Sequence, residues 1–426
     1  MATSQADYEQ LKHTLKLRLA ELLDRDTSGG PRTPFDRGTI STHVRRVLST
    51  AQAASSPFIL SAPEQERLVE ELADEIVGLG PLEPLLVDSE ITEIMVNGPA
   101  QIYIERHGRL ERLPAVFRDT NHLMAVIERL LAQAGTSVTE SNACVDASLP
   151  DGTRVNVIIP PLVLNGPTMT IRAKLREWHM DDFLALGSLS AQAAEFLEMC
   201  VRAKVNLVVS GGTSTGKTAL VSVLSSCIPA AERIITIENI AELDLPNREH
   251  WIRLVARERN IEGRGEISLR NLVRNALRMR PDRIILGEAR GGEALDVVQA
   301  MHTGHDGVIT VLHANSSHAA LERLETLMLM SEVDLPPRAC RMQIASAVDL
   351  VVQMGRFADG SRRIAAITQL LGVAADDFAL EDLFRFEAQG FSPDGRLHGT
   401  LRYTGVRPKF LQKFQLNNVP LPGWIT

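Results

Sequence analysis

The stretch VVSGGTSTGKTALVSVL, residues 208–224, decides how the rest of the chain reads. An apolar run over residues 205–209 leads into it and a helical pattern follows, so its glycines fall where a strand hands over to a helix. Gly211, Gly212, Thr213, Ser214, Thr215, Gly216, Lys217 and Thr218 fit G-x-x-x-x-G-K-[ST] in the setting that motif requires. Glycines let backbone N–H groups curl around an anion, and the helix start, extending to Ala219, adds its positive end. Lys217 is then expected to neutralise the β- and γ-phosphates, and Thr218 to hold Mg²⁺. A glycine-rich turn that merely imitates the motif is the alternative, and the flanking elements argue against it.

Working outward, RIILGEARGGEA (residues 283–294) places Glu288 just past an apolar strand. At the C-terminal edge of a parallel strand it would face the same crevice and orient or deprotonate a water; a surface ion pair is the plainer alternative. Glu293, one helical step on, reads as structural. IITIENIAELDLP (234–246) sets Glu238 at another strand end with Glu242 four residues later. These two act through Mg²⁺-bound water, hold basic residues or are solvated carboxylates, and the residues alone leave that open. In VITVLHANS (308–316), His313 follows a further apolar strand and would reach the γ-phosphate, although a lone histidine there is commonly structural. His302 and His305 have weaker claims. Between residues 248 and 283 stand ten arginines, five acids and no lysine, a bias toward planar forks suited to phosphate or buried carboxylate. Arg270, Arg274 and Arg278 recur every fourth residue on a helix expected over 268–279, facing a phosphate, a neighbouring subunit or water.

At 426 residues the chain is long enough for two or three cores, and 44% hydrophobic with 23% charged residues describes a globular composition. The formal charge of −8 and 4% aromatic content argue against a protein that mainly grips nucleic acid, and no nucleic-acid partner is expected. The N-terminus lacks a secretory h-region, and residues 155–171 carry too many prolines and polar residues to span a bilayer, so the cytoplasm is the expected compartment. Cys144, Cys200, Cys227 and Cys340 are scattered, which indicates neither zinc ribbon nor disulfide framework.

Residues 8–23 have apolar positions at helical spacing and predict an amphipathic helix in need of a partner surface; 27–34, TSGGPRTP, predicts a break. The expected organisation is α/β, in three parts: a helical module and linker over 1–60, a compact α+β domain over 61–185, and a parallel-sheet domain with a C-terminal extension over 186–426. Strands are predicted at 91–96, 101–105, 109–113, 154–159 and 168–172 around a helix at 121–134. Further short strands at 234–237, 283–286 and 308–312 alternate with helices, the pattern of a parallel sheet covered on both faces.

GGTSTGKT, TIENIAEL, LRNLVRNALRMRPDRIILGEARGGEALDVVQAMHTGHDG and TVLHANS resemble, in order, the phosphate loop, acidic box, glutamate-bearing strand and histidine box of the secretion ATPase superfamily, the motors of type II and type IV secretion and type IV pili. LGPLEPLL, ITEIMVNGP and GRLHGTLRYTGVRPKF are most similar to the tight-adherence (Tad, or Cpa) pilus assembly ATPases, and the likeness covers roughly residues 63–422. The resemblance implies a PAS-like N-terminal α+β domain and a RecA-like P-loop domain with ATP between them, assembled as a hexameric ring. It also implies a place at the cytoplasmic face of the inner membrane, held peripherally through pilus platform proteins. By this likeness Lys217 and Thr218 bind phosphate and Mg²⁺, Glu288 is the catalytic glutamate and a metal-site residue, Glu238 and Glu242 are the acidic-box carboxylates with Glu242 at the metal, and His313 is the histidine-box residue. Arg154 in DGTRVNV and Arg172 in MTIRAK match the segments from which the N-terminal domain sends arginines to the phosphates, and Arg278 and Arg280 in LRMRPDR are candidates for nucleotide or intersubunit contacts. Two departures stand out: Asn239 follows Glu238 where the family commonly has aspartate, and the tetracysteine zinc insert of many type II secretion ATPases is absent, which favours the Tad-like branch.

Overall fold

The computed structural model describes residues 11–12, 14–15, 18–19, 37–53, 60–76, 78–106, 108–114, 117–172, 177–246, 248–257 and 264–425. The chain divides into two compact units, Met1–Lys174 and Leu175–Thr426.

The first unit begins with helices. Residues 11–12, 14–15 and 18–19 are helical, and Leu11, Leu15 and Leu19 bury against α1 (Arg37–Ala53) and α2 (Ala62–Ile76) through Ile40, Val44, Leu68 and Leu72. The partner surface demanded by the amphipathic spacing is therefore the two helices that follow it, and Lys12 Nζ binds Glu71 Oε2 at 2.8 Å across the junction. Because α2 completes this small core, the helical module runs to residue 76 rather than ending near 60. The predicted break at 27–34 lies outside the described residues.

Six antiparallel strands follow: β1 (Ile91–Asn97), β2 (Ile102–Arg106), β3 (Arg109–Leu113), β4 (Cys144–Ser148), β5 (Arg154–Ile158) and β6 (Thr168–Arg172), in the order β3-β2-β1-β6-β5-β4. Period-two alternation sends Ile94, Val96, Ile104, Val155, Val157, Met169 and Ile171 to one face. There they meet Leu123, Val126, Ile127 and Leu130 of α3 (Thr120–Gln133), whose first turn is capped by Asp119 accepting from His122 N at 2.7 Å. The other face is polar.

In the second unit α4 (Ala191–Arg202) precedes β7 (Leu207–Gly211), α5 (Lys217–Ser226), β8 (Ile234–Glu238), β9 (Trp251–Val255), α6 (Leu269–Ala276), β10 (Arg283–Leu286), α7 (Glu293–His302), β11 (Ile309–His313), α8 (Ser317–Leu329), α9 (Pro337–Ala347) and β12 (Leu350–Arg356). A long antiparallel extension follows, β13 (Arg362–Ala374), β14 (Asp377–Phe391) and β15 (Leu397–Tyr403), then a short helix α10 (Leu411–Leu416). The nine strands run β15-β14-β13-β12-β7-β11-β10-β8-β9; from β12 to β9 every pairing is parallel, and from β12 to β15 every pairing is antiparallel. Both faces are covered, as runs of fully buried strand residues require. Leu207 and Val209 join α4 and α5 on one side, whereas Val208 joins α6, α7, α8 and α9 on the other. Phe183 packs into the first of these cores with Trp178 edge-on at 5.8 Å, so residues 177–185 belong to this unit and not to the preceding α+β domain. No helix among the described residues is long and apolar enough to cross a membrane.

Candidate nucleotide site

β7 is central in its sheet, and its C-terminal end opens into the glycine-rich loop. Gly216 stands immediately before α5 at φ 93°, a left-handed conformation in which any other residue is strained, and it turns the loop into the helix. No side chain caps α5, so its first N–H groups are left for an anion. Lys217, buried in the first turn, curls back: Nζ donates to Gly211 O at 3.1 Å and Gly212 O at 2.7 Å and lies 3.4 Å from His313 Nδ1. Burial pulls its pKa down to about 8, against the opposing pull of Glu288 and Glu242. Thr215 Oγ1 closes the loop by donating to Gly212 O at 2.9 Å.

Neighbouring parallel strands bring the remaining groups to the same edge. His313 ends β11, paired with Gly211, and its Nε2 is 3.1 Å from Glu288 Oε1 just past β10. With an ammonium at Nδ1, the ring proton sits on Nε2 and is donated to the carboxylate. Burial and the Lys217 charge hold the imidazole below its ordinary pKa, so neutral histidine is favoured. Glu288 Oε2 accepts from Arg290 Nη2 at 2.8 Å.

Glu238 ends β8. Its Oε1 accepts from the N–H groups of Glu242 and Leu243, both at 2.9 Å, and its buried Oε2 has no partner among the described residues. Burial raises its pKa to about 7 despite those two bonds and nearby Arg253. The carboxyl fits only because residue 287 is glycine, since a Cβ there would stand 2.8 Å from Glu238 Cγ. Thr218 Oγ1 donates to Glu242 Oε2 at 3.2 Å.

The structure therefore gathers Lys217, Thr218, Glu238, Glu242, Glu288 and His313 around one loop. Of the three residues expected at Mg²⁺, Thr218 and Glu242 are joined, whereas Glu288 is engaged by His313 and Arg290. Among the described residues no group of three or more histidines, cysteines or acids could hold a metal alone. A hydroxyl beside one carboxylate, with a buried unpartnered oxygen nearby, fits Mg²⁺ arriving on phosphate, because that ion keeps waters and uses few protein ligands.

The arginines separate. Arg270 and Arg274 Nε both bind the buried carboxylate of Asp296, at 2.9 and 2.7 Å, and so clamp α6 to α7. Arg278 and Arg280 precede β10, at the sheet edge opposite the phosphate loop; both are exposed, and neither side chain pairs with another group among the described residues. The fold thus keeps them away from the loop of their own chain. In the first unit, Arg154 and Arg172 line a recess of about 300 Å³ on the polar sheet face with Glu93, Asp146, Asn156 and Thr170, and Arg172 Nη2 binds Glu93 Oε1 at 2.8 Å. Asn239 is exposed. Sequence reasoning passed over Gly287 and Arg290, although both stand inside GEARGG, the residues flanking Glu288.

Residues 75–372 match the family described as Type II/IV secretion system protein. The chain belongs to this family. A putative conjugal transfer protein of Mycobacterium tuberculosis is 33% identical over 341 residues, spanning 74% of this chain and 96% of that protein. The type IV secretion system protein PtlH of Bordetella pertussis is 35% identical over 309 residues, spanning 66% of this chain and 91% of that one. Among solved structures, the VirB11 ATPase from the Brucella suis type IV secretion system, in complex with sulphate, is 30% identical and spans 67% of this chain and 94% of that one, with a TM-score of 0.38. The glycine-rich loop, Glu238, Glu242, Glu288 and His313 all fall inside the matched span.

Proposed function

We propose that this chain is an ATPase motor of the type II/IV secretion family, which hydrolyses ATP to drive assembly of a Tad-type pilus through an inner-membrane platform. The observation that carries the reading is the contact series Lys217–His313–Glu288, which joins the phosphate loop to a carboxylate at the end of a neighbouring parallel strand. Lys217 neutralises the β- and γ-phosphates once it leaves the Gly211 and Gly212 carbonyls, and the free N–H groups of the loop cradle them. Thr218 and Glu242 would hold Mg²⁺ arriving with the nucleotide, and the ion would supply charge neutralisation at the phosphates. Glu288 orients the attacking water and takes its proton, and His313 holds Oε1 of that carboxylate in place.

The motor works as a homohexamer in the cytoplasm, at the inner membrane through its partners. Nucleotide favours one conformation of the chain over another, which is what lets hydrolysis drive work. Arg278 and Arg280, far from the loop of their own chain, serve a neighbouring subunit. The Tad assignment rests on LGPLEPLL, ITEIMVNGP and GRLHGTLRYTGVRPKF; a conjugation-type secretion motor is the second reading, favoured by the names of the similar Mycobacterium and Bordetella proteins.

Steady-state phosphate release by the purified chain tests the ATPase step, and capture of a pilus platform protein against a conjugation-channel protein separates the two readings. No ATP turnover with Mg²⁺ present, in a preparation shown to be oligomeric, overturns the motor.

A further inference from the structure

The geometry points to Arg290 as the positioning residue for Glu288: its guanidinium fixes Oε2, so that the carboxylate presents a single orientation to the attacking water. This rests on the ATPase reading above and adds to it a group that the reading does not use.

Three observations converge. Arg290 Nη2 lies 2.8 Å from Glu288 Oε2, while the other carboxylate oxygen is held by His313 at 3.1 Å, so both oxygens are tethered, from opposite ends and by different elements. The backbone carrying Arg290 is itself fixed: Glu293 Oε1 accepts from the N–H groups of Arg290 at 2.6 Å and Gly291 at 2.8 Å, and Glu293 is buried. The turn is also packed from outside, since a Cβ on Gly292 would stand 3.1 Å from Ser331 Cα. Glu293, which the sequence marks as structural, thus reaches the crevice indirectly by anchoring the residue that anchors Glu288.

A charge-assisted bond of this kind restricts two carboxylate torsions, and catalytic groups held in one orientation gain rate through reduced reorganisation. The side chain of Arg290 is 60% exposed, so its removal leaves no cavity and no unpaired buried charge. Its hydrogen-bonded partner is Glu288 rather than Lys217 or the phosphate loop, which separates its expected effect from nucleotide binding.

The test uses the full chain with Arg290→Ala, Arg290→Lys and Glu288→Gln, each checked by thermal melting and by titration with a fluorescent ATP analogue. Arg290→Ala should lower kcat by about 30-fold, with KM and analogue affinity within about twofold of the parent. Arg290→Lys should recover part of that loss, and added guanidinium ion, at concentrations that leave the parent enzyme unaffected, should raise the alanine variant's turnover severalfold. If Glu288→Gln is inactive and Arg290→Ala turns over within threefold of the parent, the positioning role is wrong. If Arg290→Ala is slow but guanidinium and lysine restore nothing, the residue acts only through the fold and the proposal also falls. If Glu288→Gln itself turns over normally, the assignment of Glu288 fails, whatever Arg290 does.

Discussion

The two ends of β7 handle buried polarity in opposite ways. At its N-terminal end Asn206 leaves nothing unpaired: its N–H binds Asp349 Oδ2 at 2.8 Å, its amide donates to Ala347 O at 2.9 Å, and its Oδ1 accepts from Gly307 and Val308 N–H groups. Lys413 Nζ completes the network on Asp349 at 2.7 Å and Asp306 at 2.8 Å. At the C-terminal end a lysine is buried against carbonyls, and Glu238 Oε2, Ser210 Oγ and Gln353 Oε1 are buried without partners among the described residues. One end is satisfied by the chain itself. The other keeps donors and acceptors that the described residues leave unpaired, the arrangement expected of a site that holds binding capacity at the expense of stability.

This contrast can be broken at either end. Lys217→Ala should weaken ATP binding by about a thousandfold, roughly 4 kcal/mol, yet leave the melting temperature of the nucleotide-free protein unchanged or higher, because a desolvated cation is removed. Calorimetry with Mg²⁺ and a thermal melt check both halves, and a large drop in melting temperature would make the loop a folding element. Asn206→Ala should do the reverse, costing about 3–4 kcal/mol in denaturant unfolding by stranding the Gly307 and Val308 N–H groups and the Ala347 carbonyl, with ATP affinity per folded molecule preserved.

A third test is the pH dependence of the empty site. The Glu238 carboxyl titrates near 7 when folded, against an ordinary value of 4.5 in water, so burial favours its neutral form. Its contribution to stability is complete below about pH 4.5 and is lost as pH rises through about 7, a difference of about 3 kcal/mol. Melts of the parent and Glu238→Gln without nucleotide at pH 5 and pH 8 should therefore diverge, the parent losing more on going up; parallel curves would show that water already satisfies that oxygen. The smallest effect is expected for Gly287→Ala, about 1–2 kcal/mol of overpacking against Glu238 Cγ, with ATP turnover falling further than stability does.

How much of this the sequence disclosed depended on distance along the chain. The glycine-rich strand–turn–helix was legible because its parts are contiguous, and β3, β6 and β10 were legible to the residue because short apolar or alternating runs end at turn-forming residues. The long strands β13 and β14 and the edge strand β9 were not. Their burial is intermediate over many positions, so no clean period-two signal survives, and β9, apolar at Trp251, Ile252, Leu254 and Val255, is short and set in an arginine-rich stretch whose charge drew the reading. The arginine row on α6 was visible as a row but not as two functions: Arg270 and Arg274 clamp Asp296, whereas Arg278 lies past the end of the helix. Spacing gives a shared face; it does not give the carboxylate that occupies it. Gly287 was unreadable for a similar reason, since its need arises from Glu238, whose side chain reaches it from another strand.

Lys413 carries a consequence for synthesis. Asp349 is grasped from Asn206, 143 positions earlier, and from Lys413, 64 positions later, so the floor beneath the phosphate loop is tied by residues that leave the ribosome far apart in time. A nascent chain that has already made the glycine-rich turn still lacks the cation that neutralises the acids at the foot of the same strand. Closure of the foot of β7 should therefore be a late step, gained as α10 docks rather than gradually as strands accumulate.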